Sequence, residues 1–464
     1  MVQSGEPAAP ATEIDLAHLD ALIEEHERAF LERQPRSAEL TARARGVLAG
    51  GVTSSWMISR PQPVWISHGG GSKLYDVDGR EYVDLHGGYG VNLAGHAHPR
   101  IVEAAGARLP QGTHFSQPVE DAVVVAEELR RRFGLPLWRF TNSGTEATMD
   151  AFHLMRAATG RDLVIKVEGC YHGHHDSAMV SVWDLELDQL GPVERPRSVA
   201  ASPGIPEALV ELTLIVPFND LGAVDRRLRD NEGRVAGMIL EPVMMNAGII
   251  LPEPGYLSRL RDLLQGHGAL LAFDEIKTGL TAGPGGITAQ SGVSPDLVCL
   301  AKAMGGGMPC GAIGGTDDVM GLIADGTYEQ VGTFNGNPLT MAASRAALIE
   351  VLTPQAYAHL GRLRERMVAG AERVIEEQAL SAHVVAVGAK GCITFSPTRV
   401  RDFREFLEVD DRFSHAHWLF QHAGGVLLPP WGKSEQWLLS VQHTEEDVDR
   451  FLDNFERFGR ALRG

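Results

Sequence analysis

The stretch from Leu271 to Gly315, LAFDEIKTGLTAGPGGITAQSGVSPDLVCLAKAMGGGMPCGAIGG, narrows the choice of fold more than any other. Its leading apolar run, Gly268 to Phe273, reads as a strand buried in a parallel sheet and stops abruptly at Asp274 and Glu275. In open α/β sheets ligands lie just beyond the carboxyl ends of the strands, so an acid there can face a cationic ligand atom. A second short run, Leu297 to Ala301, delivers Lys302 into a glycine-rich segment. Two neighbouring strands thus present an acid and an amine.

A lysine held among apolar residues loses part of its preference for the ammonium form, and its free amine can form a Schiff base with a carbonyl. An acid opposite can keep a pyridine nitrogen protonated. That pairing describes pyridoxal phosphate, with the ring as electron sink. The alternative for these two residues alone is a loop-capping Asp274 and a solvated Lys302.

At 464 residues the chain is longer than one usual domain, and one large plus one smaller domain is expected. A hydrophobic share of 44% with 22% charged residues is globular, which excludes disorder for the bulk. The net charge of −18 argues against nucleic acid or an anionic membrane as partner. Residues 1–13 lack a basic leader followed by an apolar core, and no apolar run is long enough to span a membrane, so a cytoplasmic protein is expected. Cys170, Cys299, Cys310 and Cys392 are widely separated, which predicts reduced thiols with neither disulfide nor zinc.

In chain order, residues 1–13 read as a flexible tail. A helix is expected from Ile14 to Gln34, ended by Pro35, and a second from Ser37 to Leu48. Val64–Ser67 and Lys73–Leu85 carry a hairpin signature with its turn at Asp78-Gly79. The glycine-rich segment 86–99 permits close approach to a ligand and can turn Tyr89 into a site, or it is an ordinary surface loop. Ser143-Gly144-Thr145 leads from a short strand into a helical pattern, which makes an anion site, the alternative being simple N-capping. Another strand ends before Tyr171, an aromatic able to stack on a planar ring, and before His172, His174, His175 and Asp176, which also admit a metal reading. Residues 183–208 are irregular and Pro-rich, as lids and interface loops are. Asn246 follows the run Val235–Val243 and can donate to a ligand oxygen, and Gly332 to Pro338 forms a turn rich in hydroxyl and amide donors. Later helices and short strands suggest a small α+β domain. The expected division is 14–85 with the small domain, 86–350 as the large domain and 351–464 as the C-terminal small domain.

Independent motifs occur here in a fixed order: NSGTEA at 142–147, YHG at 171–173, SPGIP at 202–206, PFNDL at 217–221, EPV at 241–243 with an asparagine five residues after its glutamate, DEI at 274–276, AKAMGGGMP at 301–309, GTFNGNPL at 332–339 and HTEEDV at 443–448. From about Gly50 to about Phe458 the chain resembles the class III pyridoxal-phosphate aminotransferases of fold type I, and within them the glutamate-1-semialdehyde 2,1-aminomutase branch. The resemblance implies a large domain with a mostly parallel seven-stranded sheet, plus a smaller α+β domain drawn from both chain ends. It makes Lys302 the internal aldimine and Asp274 the partner of the pyridine nitrogen. Ser143, Gly144 and Thr145 become the phosphate cup, with His172 among the cofactor-binding residues. Tyr171 and Ile276 take the two ring faces, and Asn246 partners the 3'-oxygen. Gly332 and Thr333 are expected to reach the phosphate of a neighbouring subunit, which implies a homodimer with shared sites.

The substrate side departs from the aminomutase pattern. Where that branch has an arginine for the substrate carboxylate this chain has Met57, with Arg60 out of register, and Leu280 and Thr281 replace the arginine or aromatic pair that follows DE-x-x-x-G in common aminotransferases. Losing an arginine removes a bidentate carboxylate clamp. Trp56, Met57 and Tyr89 suit a more apolar substrate, and Glu445 is a further candidate contact. The expected activity is amino transfer between an amine or amino acid and a keto or aldehyde acceptor, passing through pyridoxamine phosphate. Intramolecular aminomutase chemistry and an amino-acid racemase or epimerase are alternatives. Outside pyridoxal chemistry stand a metal-dependent hydrolase built on residues 172–176 and a non-catalytic scaffold.

Overall fold

Seven strands whose side chains are almost wholly buried form the central sheet: β1 (Leu137–Thr141), β2 (Leu163–Val167), β3 (Thr213–Val216), β4 (Val235–Leu240), β5 (Leu270–Asp274), β6 (Leu297–Ala301) and β7 (Gly311–Gly315). Their spatial order is β1-β7-β6-β5-β4-β2-β3, and β7 alone runs antiparallel to its neighbours. The structure, a computed structural model, describes residues 2–4, 15–183, 185–430, 433 and 437–464. The apolar runs read from the sequence are strands because helices cover both faces of a parallel sheet. Helix Gly144–Thr159 lays Ala147, Ala151, Phe152 and Met155 into the core formed with Ile239, Ala272, Cys299 and Ile313. Cys299 pairs with Asp274 across the parallel β5–β6 ladder, so Lys302, three residues further on, lies about 10 Å beyond that rung.

The chain forms two compact units. The larger comprises Pro99–Tyr357 and Val400–Glu408; the smaller comprises Met1–His98, Ala358–Arg399 and Val409–Gly464. Residues 86–98 therefore group with the smaller unit, and 351–357 and 400–408 with the larger, unlike the expected division. The return of 400–408 has a clear cause. Arg404 pairs in bidentate fashion with buried Glu168 (3.0 and 3.1 Å) and also donates to the carbonyls of Leu190 and Gly191. Phe403 lies so close over Gly169, at φ +81°, that a Cβ there would come within 2.3 Å of its ring.

In the smaller unit, helix Leu16–Glu32 packs on helix Asp411–Ala423 through His26 on Phe420 and the Glu27–His415 pair. Pro35 does not merely end the first helix; it opens the next, Pro35–Ala44, at a position where its missing N–H is not needed. The expected hairpin is a three-stranded meander, Ile66–Gly70, Lys73–Asp76 and Glu81–Asp84, with Val426–Leu427 added in parallel. A second antiparallel sheet holds Val2–Ser4, from the expected tail, with His383–Val387, Lys390–Thr394 and Trp437–Leu438. The terminal helix Glu445–Ala461 starts in a capping box between Thr444 and Asp447. Among the described residues no helix is long and apolar enough to cross a membrane.

Two buried histidines make this unit acid-sensitive. His417 lies among the rings of Phe395, Phe451, Phe455 and Phe458, and His422 among Phe30, Tyr82 and Trp418. Burial lowers both pKa values to about 3. An unfolded chain takes up these protons near pH 6.5. Between the two values the unfolded state holds more protons, so stability falls as pH falls, by about 1.4 kcal/mol per pH unit and histidine. Both ring nitrogens of His422 lack a partner, so His422→Phe should be close to neutral at about pH 7 and stabilising at about pH 5. Denaturant midpoints at the two pH values test this, and a midpoint that does not respond to pH would refute it.

Candidate active site

The chemistry-bearing residues of the larger unit converge at the carboxyl ends of β1, β2, β4, β5 and β6. After β1, Ser143 caps helix Gly144–Thr159, its Oγ accepting from the Glu146 amide at 3.2 Å while Glu146 Oε2 accepts from the Asn142 amide. The capping alternative is thus realised for the Ser143 hydroxyl, but it leaves the amides of Gly144 and Thr145, which in a first helical turn have no intrahelical acceptor. A Cβ on Gly144 would come within 2.5 Å of Ile276 Cδ1, so glycine is what allows the apolar side chain to close against this helix end. Thr145 Oγ1 accepts from the His174 amide.

After β2 the chain carries Tyr171 and His172. Tyr171 stacks on Trp183, with ring centroids 4.9 Å apart and planes 27° from parallel. Burial, aided by the Asp274 charge and opposed by a hydrogen bond from Thr145, pushes its phenol up to about 12. His172 is fully buried and meets Asp274 Oδ2 through Nδ1 at 2.7 Å; its carbonyl accepts from the Thr148 hydroxyl. His172 Nε2 is buried without a partner. The remaining histidines do not form a cage with it: His175 lies edge-on to Phe152, 3.5 Å from Thr148 Oγ1, and burial lowers its pKa to about 3. Among the described residues no three His, Cys, Asp or Glu side chains converge as a metal site.

The two acids that end β5 part company. Asp274 Oδ1 accepts from the Ile276 amide at 2.9 Å and Oδ2 faces His172. Glu275 is turned instead to the start of helix Gly286–Ser291, where it accepts from the amides of Ile287 and Thr288 and from the hydroxyls of Thr278 and Thr288. Burial raises its carboxyl pKa, and its role is to anchor that helix. Lys302 leaves β6 half-buried, in a left-handed conformation at φ +53° that a side-chain-bearing residue adopts at a cost.

Two residues outside the expected set belong here. Glu241, the first residue after β4, is 3% exposed and accepts from the amides of Tyr171 (3.0 Å) and Met245 (2.7 Å) and from Asn246 Nδ2 (2.8 Å). Its signal was an acid at the end of an apolar run, the same one that exposed Asp274. Trp183 had none beyond being an aromatic at the edge of an irregular loop. That loop is pinned: Ser181 exchanges hydrogen bonds with Val199 and Arg197, and Lys166 Nζ holds the Val180 carbonyl. Asp184 lies outside the described residues.

Gly332 and Thr333 lie on an exposed turn tied to the cup through Asn335, whose Oδ1 accepts from Asn142 Nδ2 at 2.9 Å. In the smaller unit the Tyr89 hydroxyl donates to the Trp56 carbonyl, the two rings are 5.5 Å apart, and Thr53 donates to Met57 Sδ. Tyr89 sits in a left-handed run at φ +57° with Gly87, Gly88 and Gly90. Glu445 forms an exposed ion pair with Arg366 at 3.4 Å in the first turn of the terminal helix.

These residues fit pyridoxal phosphate. First-turn amides suit a phosphate. Asp274, 4% exposed, is met only by an imidazole and an amide among the described residues, so a protonated ring nitrogen would compensate a buried acid. Tyr171 offers a ring face, and Lys302 an amine on the strand next to that acid.

The class-III aminotransferase family model matches residues 57–457. A glutamate-1-semialdehyde 2,1-aminomutase from Thermomicrobium roseum is 40% identical over 90% of this chain and 96% of its own. Among solved structures, an omega-transaminase from Sphaerobacter thermophilus superimposes with a TM-score of 0.89 at 33% identity, covering 94% of this chain and 100% of its own. A glutamate-1-semialdehyde-aminomutase from Pseudomonas aeruginosa PAO1 does so with a TM-score of 0.88 at 30% identity, covering 97% and 100%. A variant of that enzyme was solved in complex with PMP. With the seven-stranded sheet and a site suited to the cofactor, the protein belongs to the class-III aminotransferases and is a pyridoxal-phosphate-dependent enzyme.

Proposed function

We propose that the protein transfers an amino group between an apolar amine or amino acid and a separate keto or aldehyde acceptor. The observation that carries this reading is Met57 in place of the carboxylate-binding arginine of the aminomutase branch. Met57 is half exposed beside Trp56, whose ring pairs with Tyr89, and these three side chains favour an apolar substrate group. Leu280 and Thr281 are buried, which suits them to packing rather than to clamping a carboxylate.

When bound, pyridoxal phosphate supplies the aldehyde that exchanges amino groups and the ring that accepts electrons from a broken Cα–H bond. The chain's own residues do the rest. Lys302 holds the cofactor and, once released, its amine carries the proton taken from the substrate carbon. Asp274, oriented by His172 and the Ile276 amide, holds positive charge at the ring nitrogen. The helix end at Gly144 and Thr145 binds phosphate, Tyr171 and Ile276 cover the ring faces, and Asn246 faces the 3'-oxygen. Trp183 backs Tyr171; Trp183→Ala should weaken cofactor binding by up to about tenfold, the scale of one aromatic pair, as read by titrating the apoprotein. An unchanged affinity would remove Trp183 from the site.

The working form is a homodimer in which Thr333 reaches the partner's phosphate. Supporting this, Val331 and Phe334 beside Thr333 are exposed, as are Val102, Leu109 and Phe115. A cytoplasmic setting accords with four buried free cysteines.

Single amines and amino acids added without acceptor test the main reading. Bleaching of the bound cofactor's near-visible band with one equivalent of keto or aldehyde product is expected. A second reading, intramolecular amino transfer, draws on the 40% identity to the Thermomicrobium roseum enzyme. Conversion of glutamate 1-semialdehyde to 5-aminolevulinate, with no half-reaction on apolar amines, would establish it instead.

A further inference from the structure

We propose that Glu241 is a positioning residue of the cofactor site, fixing the Asn246 carboxamide and the Tyr171 backbone through a single carboxylate oxygen. The inference rests on the reading that Asn246 faces the cofactor's 3'-oxygen. A buried carboxylate must be satisfied by hydrogen bonds or paired charge. Fully buried Lys166 contributes charge nearby, but its Nζ donates to the carbonyls of Val167 and Val180. The hydrogen bonds to Glu241 come instead from the two segments that carry cofactor residues. Oε1 accepts from both the Tyr171 amide and Asn246 Nδ2, and Oε2 accepts from the Met245 amide.

The chemistry of these atoms fixes an orientation. An ionised carboxylate can only accept, so Asn246 must turn its NH2 group toward Glu241. One N–H is thereby committed, and the second N–H and Oδ1 remain for a ligand. Without the carboxylate, both amide orientations become available and half of them present the wrong atom. Because Tyr171 and Asn246 share Oε1, a shift of one is transmitted to the other. A residue that only held the 241–246 turn would need the Met245 contact alone.

The test measures the dissociation constant of pyridoxal phosphate from the apoprotein and the pH midpoint of the holoprotein's near-visible absorbance, for wild type, E241Q, N246A and the double variant. Each single change should weaken binding by about tenfold, the scale of a hydrogen bond to a charged group. Both should move the absorbance midpoint in the same direction. The double variant should be no worse than the worse single, since both act through one amide. Multiplying losses, or E241Q with wild-type affinity and midpoint, would overturn the proposal.

Should E241Q fail to fold, N246D keeps Glu241 and its other two contacts while opposing it with a second acid. It should weaken binding more than N246A does and move the midpoint, and wild-type values for it would overturn the proposal. If wild type itself shows no near-visible band with added pyridoxal phosphate, the cofactor assignment falls and this proposal with it. A normal wild type with indifferent variants sinks only the role of Glu241.

Discussion

Lys302→Ala is expected to lower amino transfer by more than about 10⁴-fold while leaving the fold intact. A positioned acid–base group contributes about 10² to 10⁴-fold, and here the same side chain also tethers the cofactor, so both contributions vanish together. The fold should survive because Lys302 is only half-buried and lies beyond the last rung of β6. Alanine at φ +53° is no easier than lysine, so a modest loss of stability is compatible with the reading. Lys302→Arg should be as inactive as alanine, because a guanidinium stays protonated and cannot take a proton from carbon. A small primary amine in the buffer should restore part of the activity in the alanine variant and none in the arginine one. The measurement is turnover with the best amine, alongside the near-visible spectrum. A Lys302→Ala protein that keeps its band and works within tenfold of wild type would remove the lysine from the mechanism.

Asp274 and Lys302 could be read from the sequence because each interrupts an apolar strand at its carboxyl end, a local pattern with a definite spatial meaning. Glu241 shows the same pattern after β4, yet nothing local says what it does: two of its three donors lie within five residues, and the Tyr171 amide is 70 residues away. Local spacing misleads where the backbone is irregular. The cluster at 172–176 looks like a ligand set on paper, but successive residues point different ways, His172 inward to Asp274 and His175 against Phe152. The same limit explains residues 400–408, whose attachment to the larger unit rests on a pair between Arg404 and Glu168, 236 positions apart. Pro35 was misread because the residue that forbids continuing one helix is also well suited to begin the next. Strand runs and caps were legible because their determinants are adjacent in sequence; the partners of buried polar groups were not.

The second large effect is expected at Asp274. Asp274→Asn should lower turnover by about 10³-fold with little change in the bound cofactor's geometry. A carboxylate about 3 Å from a protonated ring nitrogen, at an effective dielectric constant near 20, interacts with it by about 5 kcal/mol. An asparagine retains a dipole but not the charge, so most of that is lost, and about 4 kcal/mol in the barrier corresponds to about 10³-fold. The side chain is already held on both oxygens, by His172 Nδ1 and the Ile276 amide, so no reorganisation is needed as charge develops in the ring. His172→Ala should therefore cost less than Asp274→Asn, because it removes the support and leaves the charge. Asparagine also turns the pairing with His172 from a charge-assisted bond into a neutral one, so a small drop in melting temperature should accompany the kinetic loss. Rapid-mixing measurement of the first half-reaction isolates the step, since breaking Cα–H requires the ring to accept electrons while product release does not. If Asp274→Asn slows that step less than tenfold, the ring nitrogen does not depend on this acid, and the charge that stabilises the transition state must come from elsewhere in the site.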